Sequence, residues 1–289
     1  MRNFRTKLRS SRNRSDHAMQ AASASTLPAS DTARQDEVNS LLRERLDLHA
    51  ELFEAAQIQR KLSGPRVLQC GDLQFASEVF AARRIPGDFA VLSRSDSMVF
   101  ATLGDIAGKG FAAGMWFTNL AGLLQDHGRP VRGPEETASE INLHLYALRP
   151  VAPFVTAFIA QMDCALGLLT YCNAGHFPPI LLSADGQTKL LATGGPLLGA
   201  IEQATFEAEK VRFSAGDVLV VYSDGVLECR GRSGEEFGME RLLHAVRESK
   251  QPTAHATLMT LLAIVQDFAN GNPPTDDISV MVMLREASW

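Results

Sequence analysis

The sequence predicts an α+β domain behind a long N-terminal helix, and three observations point there. Strand-like segments come in pairs joined by short turns, helical segments arrive in pairs rather than after every strand, and a stretch ahead of the first strand repeats at helical period. With 45% hydrophobic and 21% charged residues among 289, the chain can fill one large core and still carry an appendage.

The elements follow in order. Residues 1–34 are rich in Ser, Arg, Ala and Asn without an apolar period, so they read as a disordered basic arm. The arm carries +5 and the remainder −10, a balance suited to touching anionic lipid or nucleic acid, or to a solubilising tail. From about Gln35 to Leu62, positions 38, 41, 45, 48, 52, 55, 59 and 62 read Val, Leu, Arg, Leu, Leu, Ala, Gln, Leu, with six of the eight apolar. So narrow a seam suits a two-stranded coiled coil, and hence a homodimer through residues 35–62, with Arg45 and Gln59 as polar interruptions. A single helix laying the same stripe on the adjacent domain would bury the same face. Ser63, Gly64 and Pro65 end the helix, so residues 35–65 form a helical linker and 66–289 the folded domain.

Within that domain, Leu73–Phe80, Asp88–Ser93, Met98–Gly104, Phe154–Asp163 and Gly167–Cys172 read as strands, with Phe111–His127 and Glu135–Leu148 as the first helix pair. Strands at Thr205–Phe213 and Asp217–Ser223 precede a second helix pair, Glu235–Glu248 and Thr253–Ala269, and Ile278–Leu284 closes the chain. Turns as short as Asp163–Gly167 require antiparallel hairpins, which argues against a doubly wound parallel sheet. No apolar run approaches the roughly 18–20 residues of a membrane span, and the start lacks a secretory apolar region, so a soluble cytoplasmic protein is expected. Cys70, Cys164, Cys172 and Cys229 are scattered without C-x-x-C spacing, which reads as reduced core residues rather than a zinc site.

Three acidic positions stand where an apolar strand meets a tight turn: Asp105 after Val99–Gly104, Asp224 after Val218–Ser223, and Asp276-Asp277 ahead of Ile278–Leu284. Each alone is an ordinary turn residue. Jointly they matter, because clustered carboxylates cost several kcal/mol per buried ion unless cations neutralise them, and hard oxygen ligands suit Mg²⁺ or Mn²⁺. Asp88, in Pro86-Gly87-Asp88-Phe89, adds a fourth acid at a strand start, and Arg83 offers a guanidinium fork for an anion, with Arg84 as its neighbouring competitor.

These segments resemble the SpoIIE-type branch of the PPM (protein phosphatase 2C) superfamily of metal-dependent serine/threonine phosphatases. The resemblance spans about Leu68 to Leu284 and rests on five motifs in family order: Ala82–Phe89, Gly104–Gly110, Asn173–Pro179, Ser223-Asp224-Gly225, and Asp276-Asp277-Ile278-Ser279. It implies an αββα sandwich of two antiparallel sheets flanked by helices, with two divalent cations, Mn²⁺ or Mg²⁺, at one end. It further implies that Asp105 bridges both ions, Ile106 offers its backbone carbonyl, Asp224 and Asp276 complete one ion's shell, Asp88 acts through metal-bound water, and Asp277 supports the others. Arg83 matches the phosphoryl-binding Arg. The activity implied is hydrolysis of a phosphoserine or phosphothreonine monoester by activated water, on a regulatory partner of the STAS-domain, anti-sigma-factor-antagonist type.

Some positions depart from the pattern. Pro86 replaces a usual glycine, Ala90-Val91 replaces an aromatic-acid pair, Lys109 stands where this branch has His or Lys, and Ala107 stands where the animal enzymes carry a His suggested as general acid. Gly104–Gly110 lacks the spacing and hydroxyl of a nucleotide P-loop. His176, between Gly175 and Phe177-Pro178, reads as tying down a turn, and Thr193–Pro196 reads as a turn that the resemblance places near the site as a variable flap. Two other functions compete: a non-catalytic scaffold of the same fold, which loss of a principal acid would favour, and a phosphodiesterase or nuclease, which needs a basic groove that the −10 balance discourages, so no nucleic-acid partner is expected.

Overall fold

The structure, a computed structural model, describes residues 29–82, 84–108, 110–126 and 132–287. The expected basic arm lies outside the described residues as far as residue 28, as do Arg83, Lys109 and His127. Helix α1 (Ala29–Leu62) begins six residues before the expected start. The chain divides into two compact units between Asp47 and Leu48, inside α1 rather than after its end. The second unit holds everything that follows.

Alternation of side chains builds that unit. Strands β1 (Val67–Cys70), β2 (Leu73–Phe80), β3 (Asp88–Ser95) and β4 (Met98–Ile106) lead into helices α2 (Phe111–Asp126) and α3 (Pro134–Ala147). Strands β5 (Val155–Asp163), β6 (Leu168–Ala174), β7 (Ile180–Leu182), β8 (Thr188–Leu190), β9 (Gly194–Gly195), β10 (Glu209–Arg212) and β11 (Val218–Tyr222) follow. Helices α4 (Asp224–Leu227), α5 (Gly238–Glu248) and α6 (Ala254–Ala269) then precede β12 (Ile278–Arg285). One sheet runs β1-β2-β12-β11-β7-β8 and the other β10-β6-β5-β4-β3, and every pair is antiparallel except β9, which lies parallel to β6.

Because successive side chains on a strand point to opposite faces, each strand feeds two cores. Ala90 and Leu92 of β3, Ala101 and Leu103 of β4, and Met281 and Met283 of β12 meet in the layer between the sheets. Their chain neighbours Phe89 and Val91 turn the other way and pack with Phe117, Leu120 and Ile141 of α2 and α3. Val280, Val282 and Leu284 face Leu242, Leu258 and Leu261 of α5 and α6. The architecture is therefore an αββα sandwich, as the resemblance implied.

The helical seam divides in two. Val38, Leu41 and Leu48 are about half exposed, whereas Gln59 is buried and donates from Nε2 to the carbonyl of Pro86, and Leu62 packs against the core that β3 shares with α2 and α3. Three expectations need correction. The Thr205–Phe213 strand is reduced to Glu209–Arg212, the Thr193–Pro196 turn contains the two-residue strand β9 paired with Asn173-Ala174, and the short β1, β7, β8 and α4 were not foreseen. The four cysteines are free and buried.

Candidate active site

The acids gather through the register of the strands. Asp88 and Asp105 stand directly opposite one another in β3 and β4, and Asp105 stands opposite Thr156 of β5. By the alternation that buries Ala90 and Leu103 between the sheets, all three side chains point into that same layer, at its end. From the facing sheet, Ser279 of β12 donates its hydroxyl to Asp88 Oδ2 at 2.6 Å. Ser223 Oγ in turn accepts from the Ser279 N–H at 3.0 Å and donates to the Asp277 carbonyl at 3.2 Å. The end of the sandwich is thus a polar rung, where the layers further in are apolar.

Asp277 organises the loop ahead of β3. Its Oδ1 accepts from the Ala82 N–H at 2.8 Å and its Oδ2 from the Gly87 N–H at 2.7 Å, so the carboxylate clamps both ends of the segment that presents Asp88. Asp276 sits one residue away, and its Oδ1 accepts from the Asp277 N–H at 2.9 Å. Asp224 opens α4, and the following Gly225 presses against the same turn: a Cβ there would lie 2.0 Å from the Asp277 carbonyl, so only glycine lets Asp224 approach the Asp276-Asp277 corner.

At Gly87 oxygens converge on the backbone. A Cβ at that position would lie 3.4 Å from Asp105 Oδ1, 3.1 Å from the Ile106 carbonyl and 3.0 Å from the Gly108 carbonyl. One carboxylate and two carbonyls converging there are the donor types a hard divalent cation takes. Among the described residues, no three His, Cys, Asp or Glu side chains are already arranged as a metal cage. Mg²⁺ keeps several waters and binds through one or two carboxylates, so a partial set of oxygen donors suits it where a closed cage would not. The residues present fit such an ion.

Electrostatics agree with this placement. Asp88 is buried, and desolvation pushes its carboxyl well above the usual carboxylate range; the Ser279 and Ser223 hydroxyls pull the other way, and the charges of Asp105 and Asp277 push it further up. An acid in that position gives up its proton readily only beside a cation. His176 lies at the margin of the rung. Its Nδ1 hydrogen-bonds Thr156 Oγ1 at 3.0 Å and its N–H donates to Asn173 Oδ1 at 2.8 Å, while Nε2 has no hydrogen-bond partner among the described residues. Burial lowers its pKa to about 4, so the ring is neutral near pH 7 and braces the Asn173–Pro179 turn.

Of the expected site residues, then, the structure brings Asp88, Asp105, Ile106, Asp277 and the Asp224 and Asp276 turns to one end of the sandwich. Arg83 lies outside the described residues; its competitor Arg84 is exposed and hydrogen-bonds the His49 ring. Ser223, Ser279 and Thr156 were missed. The signal for Ser279 was available, since counting by two from Met283 and Met281 turns it inward, onto Asp88.

The sequence pattern of the family described as Stage II sporulation protein E (SpoIIE) matches residues 95–286, well over half of the chain. The chain belongs to the SpoIIE family. It is 26% identical over 269 residues to Protein IcfG of Synechocystis, an alignment that takes in 81% of this chain and 41% of that protein. To the phosphoserine phosphatase RsbU of Bacillus subtilis it is 24% identical over 243 residues, 83% of this chain and 71% of RsbU. The chain thus spans less than half the length of the first of these relatives. In fold it is similar to the SiaA-PP2C domain of Pseudomonas aeruginosa, with a TM-score of 0.70 at 18% identity, over 83% of this chain and 97% of that domain. The domain thus shares the sandwich fold of that PP2C domain.

Proposed function

We propose that the protein is a metal-dependent serine/threonine phosphatase that hydrolyses a phosphoserine or phosphothreonine monoester on a regulatory partner protein. The observation that carries this is the Asp88–Asp105 pair, held on one polar rung with the Asp224 and Asp276-Asp277 turns, where the Ile106 and Gly108 carbonyls converge with Asp105 on Gly87. Membership of the SpoIIE family supports it, as does similarity to a relative named a phosphoserine phosphatase.

A phosphomonoester is an anion that repels nucleophiles, and two divalent cations, Mn²⁺ or Mg²⁺, supply charge neutralisation and an acidified water when bound. Asp105 and the Ile106 carbonyl would hold them from the β4 side, Asp224 and Asp276 from the facing turns, and Asp88 through an intervening water. Asp277 keeps Asp88 in place by fixing the backbone at Ala82 and Gly87. Arg83 is assigned to the phosphoryl oxygens, which a guanidinium meets in a bidentate fork. The partner class proposed is a STAS-domain protein in the cytoplasm. The basic arm, helical linker and phosphatase domain are assigned to residues 1–34, 35–65 and 66–289, with homodimerisation through 35–62, where Val38, Leu41 and Leu48 leave an apolar stripe exposed.

The test is hydrolysis of p-nitrophenyl phosphate and of a phosphorylated STAS protein with and without Mn²⁺, beside Asp105→Ala. Loss of several kcal/mol of transition-state stabilisation predicts a rate at least ~100-fold lower in the variant and in chelator. Activity indifferent to both would exclude the mechanism. Turnover confined to bis-p-nitrophenyl phosphate would make the protein a phosphodiesterase.

A further inference from the structure

The segments that deliver the acids also wall a hollow, on the α6 side of the β12 sheet. Ile278, two residues beyond Asp276, and its cross-strand partner Phe80, two residues before Ala82, form one wall. Cys229, five residues beyond Asp224, forms another, and Leu262 and Val265 of α6 make the floor. The walls are braced rather than loose, because Asn272 Nδ2 donates to the carbonyls of Arg230 at 3.2 Å and Gly231 at 3.0 Å, tying the chain after α4 to the turn after α6. The lining is mostly apolar, and Phe80 at its edge is 36% exposed.

We propose that this hollow is a specificity pocket that takes one large apolar side chain of the phosphoprotein substrate while its phosphorylated residue lies at the acids; the proposal rests on the phosphatase reading. Size selects the occupant. The cavity is about 210 Å³, below the roughly 300 Å³ at which pockets for whole small ligands begin, but adequate for a leucine- to phenylalanine-sized group. Position selects the source: within two to five residues of chain its two walls continue into Asp276, Ala82 and Asp224, so the hollow is built by the same segments that carry the acids, and a protein chain presenting a phosphate there has a side-chain pocket beside it. A preformed pocket costs little ordering on binding, so filling it contributes to recognition.

The experiment uses the full chain with Mn²⁺ and phosphoserine peptides in an alanine-glycine background, each carrying a single leucine at one position from five residues before to five after the phosphoserine. One or two leucine positions are expected to raise kcat/KM about 10-fold or more over the leucine-free peptide. Ala269→Phe, which fills the hollow, and Gln266→Trp, which covers its mouth from an exposed position and so does not threaten folding, are each expected to return that peptide to the leucine-free value. Hydrolysis of p-nitrophenyl phosphate, which has no side chain to place there, reports on the acids alone and is expected to stay within about twofold in both variants. Equal rates for all peptides, or a leucine preference that survives both substitutions, would overturn the pocket while leaving the phosphatase standing. Absence of Mn²⁺-dependent p-nitrophenyl phosphate hydrolysis in the unaltered protein would overturn both.

Discussion

Two rungs of one sheet, about 14 Å apart along the strands, carry opposite chemistries. Leu92, Ala101, Ala160 and Tyr171 lie side by side across β3, β4, β5 and β6, all buried between the sheets. Four residues along, the same faces of the same strands present Asp88, Asp105 and Thr156. Nothing in the backbone distinguishes the two. The lesson is that strand alternation, which excludes water from the middle of the sandwich, is also what aims carboxylates at its end, so the core and the site are built by one register.

That comparison can be broken from either rung. Leu103→Ala leaves a hole in the apolar layer and is expected to cost about 2–5 kcal/mol of stability, measured by denaturant unfolding, with no change in Mn²⁺ dependence per folded molecule. Asp105→Asn should do the reverse: a melting temperature unchanged or higher, because a charge that pushes on Asp88 is gone, with hydrolysis lost. If either substitution moved both quantities together, the division between rungs would be wrong.

A smaller effect separates His176 from the acids. The unfolded ring takes up its proton near 6.5 and the folded one only near 4, so between those values the unfolded state binds more protons and stability falls as pH falls. The loss amounts to about 3 kcal/mol from pH 7 to 4 and stops below 4. His176→Gln should lack it, and comparing the two proteins cancels the opposite contribution of Asp88. Smallest is Ser279→Ala, which strips the hydroxyl from Asp88 and is expected to cost about 1–3 kcal/mol, with Mn²⁺ affinity weakened ~10–100-fold.

How much of this was legible beforehand follows from the same alternation. Strands with a strong apolar period, such as Leu73–Phe80 and Ile278–Arg285, were placed to within a residue. Val67–Cys70 and Thr188–Leu190 were not, because they are three or four residues long at sheet edges, half exposed, and too short for a period to emerge. The seam of α1 was visible but not its division, since one stripe serves equally for a partner helix or for its own domain. Asp277 was legible as one of a pair of acids, yet its hold on Ala82 and Gly87 spans some 190 residues of chain and leaves no local trace. The convergence of oxygens on Gly87 is likewise a product of packing: the glycine is in the sequence, but only the fold brings Asp105, Ile106 and Gly108 around it.

The most direct test of the account is anomalous diffraction at the manganese edge from crystals grown in millimolar Mn²⁺. Two peaks about 3.5–4 Å apart are predicted, both touching Asp105, with the Ile106 carbonyl and the Asp224 and Asp276 carboxylates completing their surroundings. A clean map with no peak within bonding distance of Asp105 would contradict it.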